Sequence, residues 1–205
     1  MTQDFLSCLY QVDKSDICRA WRRIELMAKY VLGVRKTIRV SATEAERLII
    51  DATVQPIQRP SRKQRCWYSG KKKHHVIKNK IIITEAGRSV STSASVPGRV
   101  HDRDLRKRGP PLPQGSHANA DSGYQGLQDD HPDAEIPYKS SKQRSLTRDE
   151  KAYNHGLRRF HVRVQHKLAQ IKCFRLLSDR FHYPRDTYIT KFAITAGIVN
   201  ILSGF

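Results

Sequence analysis

The sequence is poor in cysteine, in long apolar runs and in acidic residues. Its four cysteines form no CxxC pair, so neither zinc-ligand spacing nor a disulfide framework is present, and we expect free thiols in a reducing compartment. The most apolar stretch, FAITAGIVNILSGF, is shorter than the ~20 residues that cross a bilayer. The first residues lack the basic and apolar regions of a signal peptide. The sequence therefore predicts a soluble, cytoplasmic protein with no membrane partner.

Over the whole chain, basic residues outnumber acidic ones two to one. The 205 residues include 38 Lys and Arg against 19 Asp and Glu, a formal net charge of +19. Such a surplus favours a polyanionic partner, and nucleic acid is the commonest. We name residues 61–80 the basic segment, because it contains no acid and eight cations: Arg62, Lys63, Arg65, Lys71, Lys72, Lys73, Lys78 and Lys80.

The basic segment also contains two aromatic residues, Trp67 and Tyr68. Stacking or sugar contacts from these rings could accompany phosphate contacts from the cations. The alternative is a solvated basic loop with both rings in the core. We favour contact with nucleic acid, since no acid compensates the charge.

Residues 15–32 have the spacing of an amphipathic helix. Ser15 is a candidate N-cap, apolar residues recur on one face, and arginines lie largely on the other. The pattern fits the second helix of a helix-turn-helix that contacts DNA, and an ordinary helix with a solvated basic face is the alternative. Because few residues precede it, we expect a partial helix-turn-helix over residues 1–40, shortened at its N-terminus, and a second domain over 41–205.

The rest of the sequence alternates strand-like and helix-like patterns. Strands are predicted over 48–51, 74–84, 88–96 and 117–121, a surface loop over 128–146, and helices over 101–108, from about Leu146 and over 187–202. The long helix carries an apolar stripe from Tyr153 to Phe174. Three neighbouring strands, a crossover helix and a fourth strand beside the first are the elements of an RNase H-like fold. The prediction is therefore α/β, with a mixed sheet flanked by helices.

Two acids stand where predicted strands end. Asp51 ends the run LIID, and Asp121 ends HANAD. Taken alone, Asp51 is more simply an acid that caps a turn. In the predicted topology, however, the two strands are neighbours, so the two carboxylates could share divalent metal ions, for which oxygen ligands are suited. Two ions ~3.5–4 Å apart can activate a nucleophile and stabilise the leaving oxygen in phosphodiester chemistry.

Five blocks of the sequence together resemble a known family. They are IDATVQPIQRP, YSGKKKHHVIK, PGRVHDRDL, ADSGYQGL and EKAYNHGLRRFHVRVQHKLAQIKCFRLLSDR. In sequence and order they resemble DDE transposases of the insertion-sequence branch related to PIF/Harbinger elements, from residue 11 to the end of the chain. The resemblance implies an RNase H-like fold and Mg²⁺- (or Mn²⁺-) dependent cleavage and strand transfer of DNA at element ends. It also implies that the partner is double-stranded DNA, at element ends and at the target. Association with the nucleoid and formation of a homo-oligomer are compatible with it.

The resemblance assigns roles to particular residues. Asp51 and Asp121 match the first two catalytic acids, which ligate metal, and Asp102 in PGRVHD matches a supporting residue. The third acid, a glutamate in an RVxVEH pattern, is replaced by Gln165, 44 residues after Asp121. The block SGKKKHH matches a DNA-contacting strand and its approach. The predicted DNA-binding residues are Arg62, Lys63, Lys71, Lys72, Lys73, Lys78 and Lys172.

Two features depart from the family pattern and divide the functional interpretation. Gln165 lacks the negative charge of the third acid, and Gly156 lies inside the predicted long helix, where glycine costs ~1 kcal/mol relative to alanine. We therefore expect either a transposase with impaired catalysis or an inactive DNA-binding remnant of one. A basic RNA-binding protein would explain the charge but not the ordered acidic blocks.

Overall fold

The computed structural model describes residues 2–106, 109–141 and 143–205, which form a curled mixed sheet flanked by helices. The helices are α1 (Gln3–Tyr10), α2 (Lys14–Val31), α3 (Ala42–Ala45), α4 (Gln64–Trp67), α5 (Asp102–Arg106), α6 (Arg148–Lys172), α7 (Arg175–Ser178) and α8 (Tyr188–Leu202). The strands are β1 (Arg47–Pro56), β2 (Tyr68–Ser69), β3 (His74–Thr84), β4 (Ser89–Thr92), β5 (Val96–Pro97), β6 (His117–Ala120) and β7 (Ala134–Glu135). Short 3-10 helices cover Ser122–Tyr124, Leu127–Asp129 and Arg185–Thr187.

The strands meet in the order β2-β3-β1-β6-β7, and β4 and β5 also pair with β3. β1 runs antiparallel to β3 and parallel to β6, and β7 continues the parallel half of the sheet. Helix α5 lies on the connection between the antiparallel strands and β6. The predicted arrangement of three neighbouring strands, a crossover helix and a fourth strand beside the first is confirmed, and it is consistent with an RNase H-like fold.

The core lies on the two faces of the sheet, because successive residues of a strand point to opposite sides. On one face Ile49 packs with β3, with α6 and with Phe192 of α8. On the other face Leu48 and Ile50 pack with Tyr124 of the segment that follows β6. Since Asp51 alternates with Ile50, its side chain belongs to the same face as Ile49, the face that α6 covers.

Helix α6 begins with a capping box. The Thr147 hydroxyl accepts from the Glu150 amide, and the Glu150 carboxylate accepts from the Thr147 amide. The predicted apolar stripe is confirmed in the middle of the helix, where Leu157, Val164, Leu168 and Ile171 are buried. At the two ends of the predicted stripe the prediction is wrong, since Tyr153 is exposed and Phe174, also exposed, lies beyond the end of α6.

Several predicted boundaries require correction. β1 does not end at Asp51 but continues to Pro56, because its pairing with β3 extends to Pro56 and Val76, although its pairing with β6 stops at Ile50. The predicted strand 88–96 is divided into β4 and β5, and the predicted loop 128–146 contains β7. Residues 107 and 108 of the predicted helix 101–108 lie outside the described residues.

The N-terminal segment contains two helices in contact, α1 and α2. The N-cap of α2 is Asp13, whose side chain accepts from the Ser15 amide, rather than Ser15 itself. Helix α2 is joined to α8 by an ion pair of 2.6 Å between Glu25 and Lys191. The predicted division at residue 40 and the partial helix-turn-helix stay predictions, because these contacts do not reveal what α1 and α2 bind.

The composition predicts free cysteines and no apolar run long enough to cross a bilayer. Cys8, Cys18, Cys66 and Cys173 are all free thiols. Within the described ranges, no helix is both long and apolar enough to cross a membrane.

Candidate active site

The two acids that the sequence singles out lie at matched positions on neighbouring strands. Ile50 of β1 pairs with Ala120 of β6 in the parallel ladder, so Asp51 and Asp121 are the next residues along two strands that lie about 4.8 Å apart. Asp121 follows the last residue of β6 and caps the 3-10 helix Ser122–Tyr124. The structure therefore brings the two carboxylates together, even though β1 does not end at Asp51.

Each carboxylate is oriented by the backbone of the next residue. Oδ1 of Asp51 accepts a hydrogen bond of 2.7 Å from the Ala52 amide, and Oδ1 of Asp121 accepts one of 2.6 Å from the Ser122 amide. The second oxygen of each side chain takes no part in these bonds. One oxygen of each acid is thus fixed locally, and the other is the atom with which it could bind a cation.

The environment of Asp51 disfavours a negative charge. Burial is the largest cause and raises the pKa of Asp51 to about 6. The Ala52 amide and the charge of His161 act in the opposite direction, while Asp121 and Asp102 raise this pKa further by repulsion. A bound divalent cation would offset both the cost of burying the Asp51 charge and its repulsion from Asp121 and Asp102. The electrostatics of this position therefore favour cation binding.

A cavity of about 500 Å³, which we name the helix-side cavity, lies between the two acids and α6. Gln165 and His161, one helical turn apart, line its α6 wall together with Arg158. The position that the resemblance gives to the third acid therefore shares a cavity with Asp51 and Asp121. Its catalytic role stays a prediction.

A second cavity of about 630 Å³, which we name the hairpin-side cavity, opens from the same two acids toward the β2–β3 hairpin. Four of the predicted DNA-binding residues line it: Lys71, Lys72, Lys78 and Lys172. The other three predicted residues, Arg62, Lys63 and Lys73, are exposed but do not line this cavity. Cations from both the hairpin and α6 thus converge beside the carboxylates.

Lys80 is not part of the exposed surface of the basic segment. Its side chain is only 4% exposed, and burial lowers its pKa to about 8. It lies on β3 beside Ala52 of β1. Lys80 therefore adds nothing to the charged surface of the basic segment, because β3 enters the core before the run of lysines ends.

Asp102 lies in the hairpin-side cavity but is already neutralised. Lys78 Nζ donates to Asp102 Oδ1 at 3.0 Å and to the Val100 carbonyl at 2.9 Å. A Cβ on Gly98 would lie 2.2 Å from Val76 Cγ2, and one on Gly123 would lie 2.8 Å from Asp102 Oδ2. Gly98 thus lets its segment lie against β3, and Gly123 lets Asp102 approach the segment after Asp121, which supports a positioning role for Asp102.

His161 lies one helical turn before Gln165 on α6, and helical spacing alone places both residues on one face of the helix. Its Nε2 atom is buried and has no hydrogen-bond partner among the described residues. Its charge lowers the pKa of Asp51, so the imidazole acts on the acid across the helix-side cavity.

The two aromatic residues of the basic segment have different environments. Trp67 packs against the core, and the Arg185 guanidinium lies 4.5 Å from its ring centre. Tyr68 is 41% exposed and lines the hairpin-side cavity. The alternative that places both rings in the core is therefore wrong for Tyr68, and contact of Tyr68 with nucleic acid stays a prediction.

The donor set fits a divalent cation only in part. Asp51 and Asp121 offer the oxygen ligands that Mg²⁺ and Mn²⁺ prefer, and Gln165 offers at most one neutral oxygen. Across the part of the chain that the structure describes, no three His, Cys, Asp or Glu side chains are grouped to hold a metal ion. The two carboxylates fit one ion, while the position expected to complete the site carries no charge.

Comparison with known proteins identifies the family of this chain. A family described as DDE superfamily endonuclease matches residues 50–200, and the chain belongs to that family. Endonucleases of this family depend on divalent metal ions. The chain is also 28% identical over 194 residues to the "Probable transposase for insertion sequence element IS702" of Microchaete diplosiphon, with 92% of this chain and 70% of that protein covered. No solved structure matches the chain.

Proposed function

We propose that this chain acts in DNA transposition, binding insertion-element DNA and cleaving and joining its phosphodiesters with reduced activity. The observation that carries the proposal is that Asp51 and Asp121 lie at matched positions on neighbouring strands, beside a cavity lined by four lysines. The similarity to a probable transposase supports the same conclusion. The kinship with the PIF/Harbinger-related insertion sequences belongs to this proposal.

The proposed roles follow from charge and position. Asp51 and Asp121 hold a divalent ion, Mg²⁺ or Mn²⁺, which when bound would polarise the scissile phosphate and acidify the attacking hydroxyl. Lys71, Lys72 and Lys172 neutralise backbone phosphates on the hairpin side of the acids. Lys78 holds Asp102 in place, and Asp102 supports the segment that carries Asp121.

Gln165 is the reason that we propose reduced activity. A glutamate at this position would add a negative, and at most bidentate, oxygen ligand beside two carboxylates, whereas glutamine adds one neutral carbonyl oxygen. Removing a full charge weakens binding of the second ion of a two-ion site, and with it stabilisation of the leaving oxygen. One ion held by Asp51 and Asp121 leaves slow residual cleavage.

A second candidate function is an inactive DNA-binding remnant of a transposase. Among the described residues, no group of three or more His, Cys, Asp or Glu side chains could hold a metal ion, which favours this function. It would bind DNA equally well with and without metal and would never cut it. The two candidates share the DNA partner and differ only in whether a phosphodiester is broken.

The finer features of the proposed partner follow from the same surfaces. The DNA is double-stranded, at element ends and at the target, and the N-terminal helices over residues 1–40 contribute contacts as a partial helix-turn-helix. Self-association would bring two element ends together. DNA binding of this kind would place the protein on the nucleoid.

The test is a nicking assay on a supercoiled plasmid that carries the ends of the element, with Mg²⁺ or Mn²⁺. The natural chain is compared with Gln165→Glu and with the double variant Asp51→Ala/Gln165→Glu. We expect very slow nicking by the natural chain, faster nicking by Gln165→Glu and none by the double variant. Absence of nicking in all three would favour the DNA-binding remnant, and equal nicking in the first two would refute the role of Gln165.

A further inference from the structure

The hairpin-side cavity contains an aromatic ring that phosphate binding does not use. Tyr68 begins β2, where it pairs with His75 of β3. Its ring meets the His75 ring edge to face, with centroids 5.6 Å apart and planes at 73°. This contact fixes the ring against the hairpin and still leaves the side chain 41% exposed. Tyr68 therefore presents a held aromatic surface to the cavity.

The surroundings of Tyr68 suit a nucleotide better than an apolar ligand. The same cavity is lined by Lys71, Lys72, Arg99 and Lys172, and it reaches Asp51 and Asp121. Its volume of about 630 Å³ lies within the range of cavities that enclose a small organic ligand. A ring among cations is the combination by which proteins hold unpaired nucleotides, with the base stacked on the ring and the phosphate on the cations.

Intact duplex DNA cannot use this ring. In a duplex each base is stacked between its neighbours, so its face is covered, and a side chain can stack on it only after the nucleotide leaves the helix. Trp67, the neighbouring aromatic residue, cannot serve because it packs against the core beneath Arg185. Tyr68 is thus the aromatic residue of the basic segment that is available to an extruded base.

We propose that Tyr68 forms a stacking subsite for one unpaired nucleotide of the DNA strand that lies at the Asp51 and Asp121 pair. This inference rests on the proposed function and specifies the substrate further. The DNA at the reacting phosphodiester is locally unpaired, and the extruded base is held on Tyr68 while the adjacent phosphates contact Lys71, Lys72 and Lys172. Tyr68 acts as a binding residue and touches no reacting atom.

The experiment measures affinity in the absence of divalent metal, so that no strand is cut. Two probes are used, a fully paired duplex and the same duplex with one extrahelical 2-aminopurine nucleotide. The natural chain is compared with Tyr68→Ala, with Tyr68→Phe and with Tyr183→Ala. Tyr183 is the matched control, since it is 50% exposed and packs on Phe181 away from both cavities.

We expect the natural chain to prefer the extrahelical probe by roughly 5- to 150-fold, the equivalent of one base stacked on an aromatic ring. Tyr68→Ala should remove this preference and the quenching of 2-aminopurine fluorescence, while its affinity and salt dependence on paired DNA stay unchanged. Tyr68→Phe and Tyr183→Ala should keep both. If Tyr68→Phe keeps the preference for the extrahelical probe, the base stacks on the ring face and the hydroxyl is not needed.

Three outcomes would overturn the inference. Equal affinity of the natural chain for the two probes, with salt-dependent binding to both, refutes the subsite and leaves the proposed function standing. A preference that survives in Tyr68→Ala refutes it as well. Failure of the natural chain to bind either probe in a salt-dependent manner instead refutes the proposed function, and the inference with it.

Discussion

The two cavities that share Asp51 and Asp121 differ in the charged residues that line them. The hairpin-side cavity has lysines from β3, from the hairpin and from α6, together with an exposed tyrosine. The helix-side cavity has Gln165 where the family pattern has an acid. The side suited to holding a polyanion is thus intact, and the side expected to complete a metal site is not. We therefore expect DNA binding and DNA cleavage to depend on separable surfaces of this fold.

The largest expected effect is on the hairpin side. Replacing Lys71, Lys72 and Lys73 together with alanine should weaken duplex binding by roughly two orders of magnitude near 0.1 M salt, because up to three counterions are no longer released. The slope of log affinity against log salt should fall by up to about 2.7. Fluorescence anisotropy across a salt series measures both quantities.

The matched control for the lysine variant is Arg180→Ala, which removes an exposed cation outside both cavities. It should change affinity and slope little. An unchanged slope in the triple variant would show that the hairpin is not the DNA surface, and the contrast between the two cavities would fail on that side.

The second effect concerns the shared carboxylate. The pKa of Asp51 is about 6 in the fold against 3.8 for the ordinary group, so its protonated form is favoured by folding. The stability that it contributes is fully present below about pH 4 and is lost as pH rises through 6. Without metal, Asp51→Asn should therefore raise the free energy of unfolding at pH 7 by roughly 2–3 kcal/mol.

Urea unfolding at a series of pH values tests this expectation. The variant should be more stable than the natural chain at pH 7, and the two curves should converge near pH 4. Asp186→Asn serves as the control for loss of an acid away from both cavities. Curves that stay parallel from pH 4 to pH 7 would show that burial of Asp51 does not oppose its charge.

The smallest effect lies across the helix-side cavity. Because the charge of His161 lowers the pKa of Asp51, His161→Ala should raise that pKa slightly above about 6. The Cγ chemical shift of Asp51 in a pH titration by ¹³C NMR measures it. His155→Ala, one and a half turns earlier on α6 and outside the cavity, is the control. A pKa that falls in His161→Ala would contradict the proposed interaction.

The sequence predicted the site better than the strands that carry it. Asp51, Asp121 and Gln165 could be placed from three blocks whose spacing is preserved, and the structure puts them around one cavity. The end of β1 could not be placed, because the apolar run stops at Asp51 while backbone pairing with β3 continues to Pro56. Strand pairing uses backbone groups that nearly all residue types share, so the residue types do not show where the pairing ends.

Burial was also hidden at single positions. Lys80 and Lys78 look alike in the sequence, yet Lys80 is buried and Lys78 lines a cavity. Trp67 and Tyr68 are adjacent, but one packs against the core and the other lines the hairpin-side cavity. His161 had no distinguishing pattern beyond its helical distance from Gln165. These differences arise from tertiary contacts, which residue order alone does not specify.

The central claim is that Gln165 weakens metal binding and leaves DNA binding intact. Titration calorimetry with Mn²⁺, together with duplex affinity measured in EDTA, tests it most directly on the natural chain and Gln165→Glu. We predict that Gln165→Glu binds Mn²⁺ at least about tenfold more tightly, because it adds a negative ligand, and binds DNA with nearly unchanged affinity. Unchanged Mn²⁺ affinity, or a large change in metal-free DNA affinity, would contradict the separation of the two surfaces.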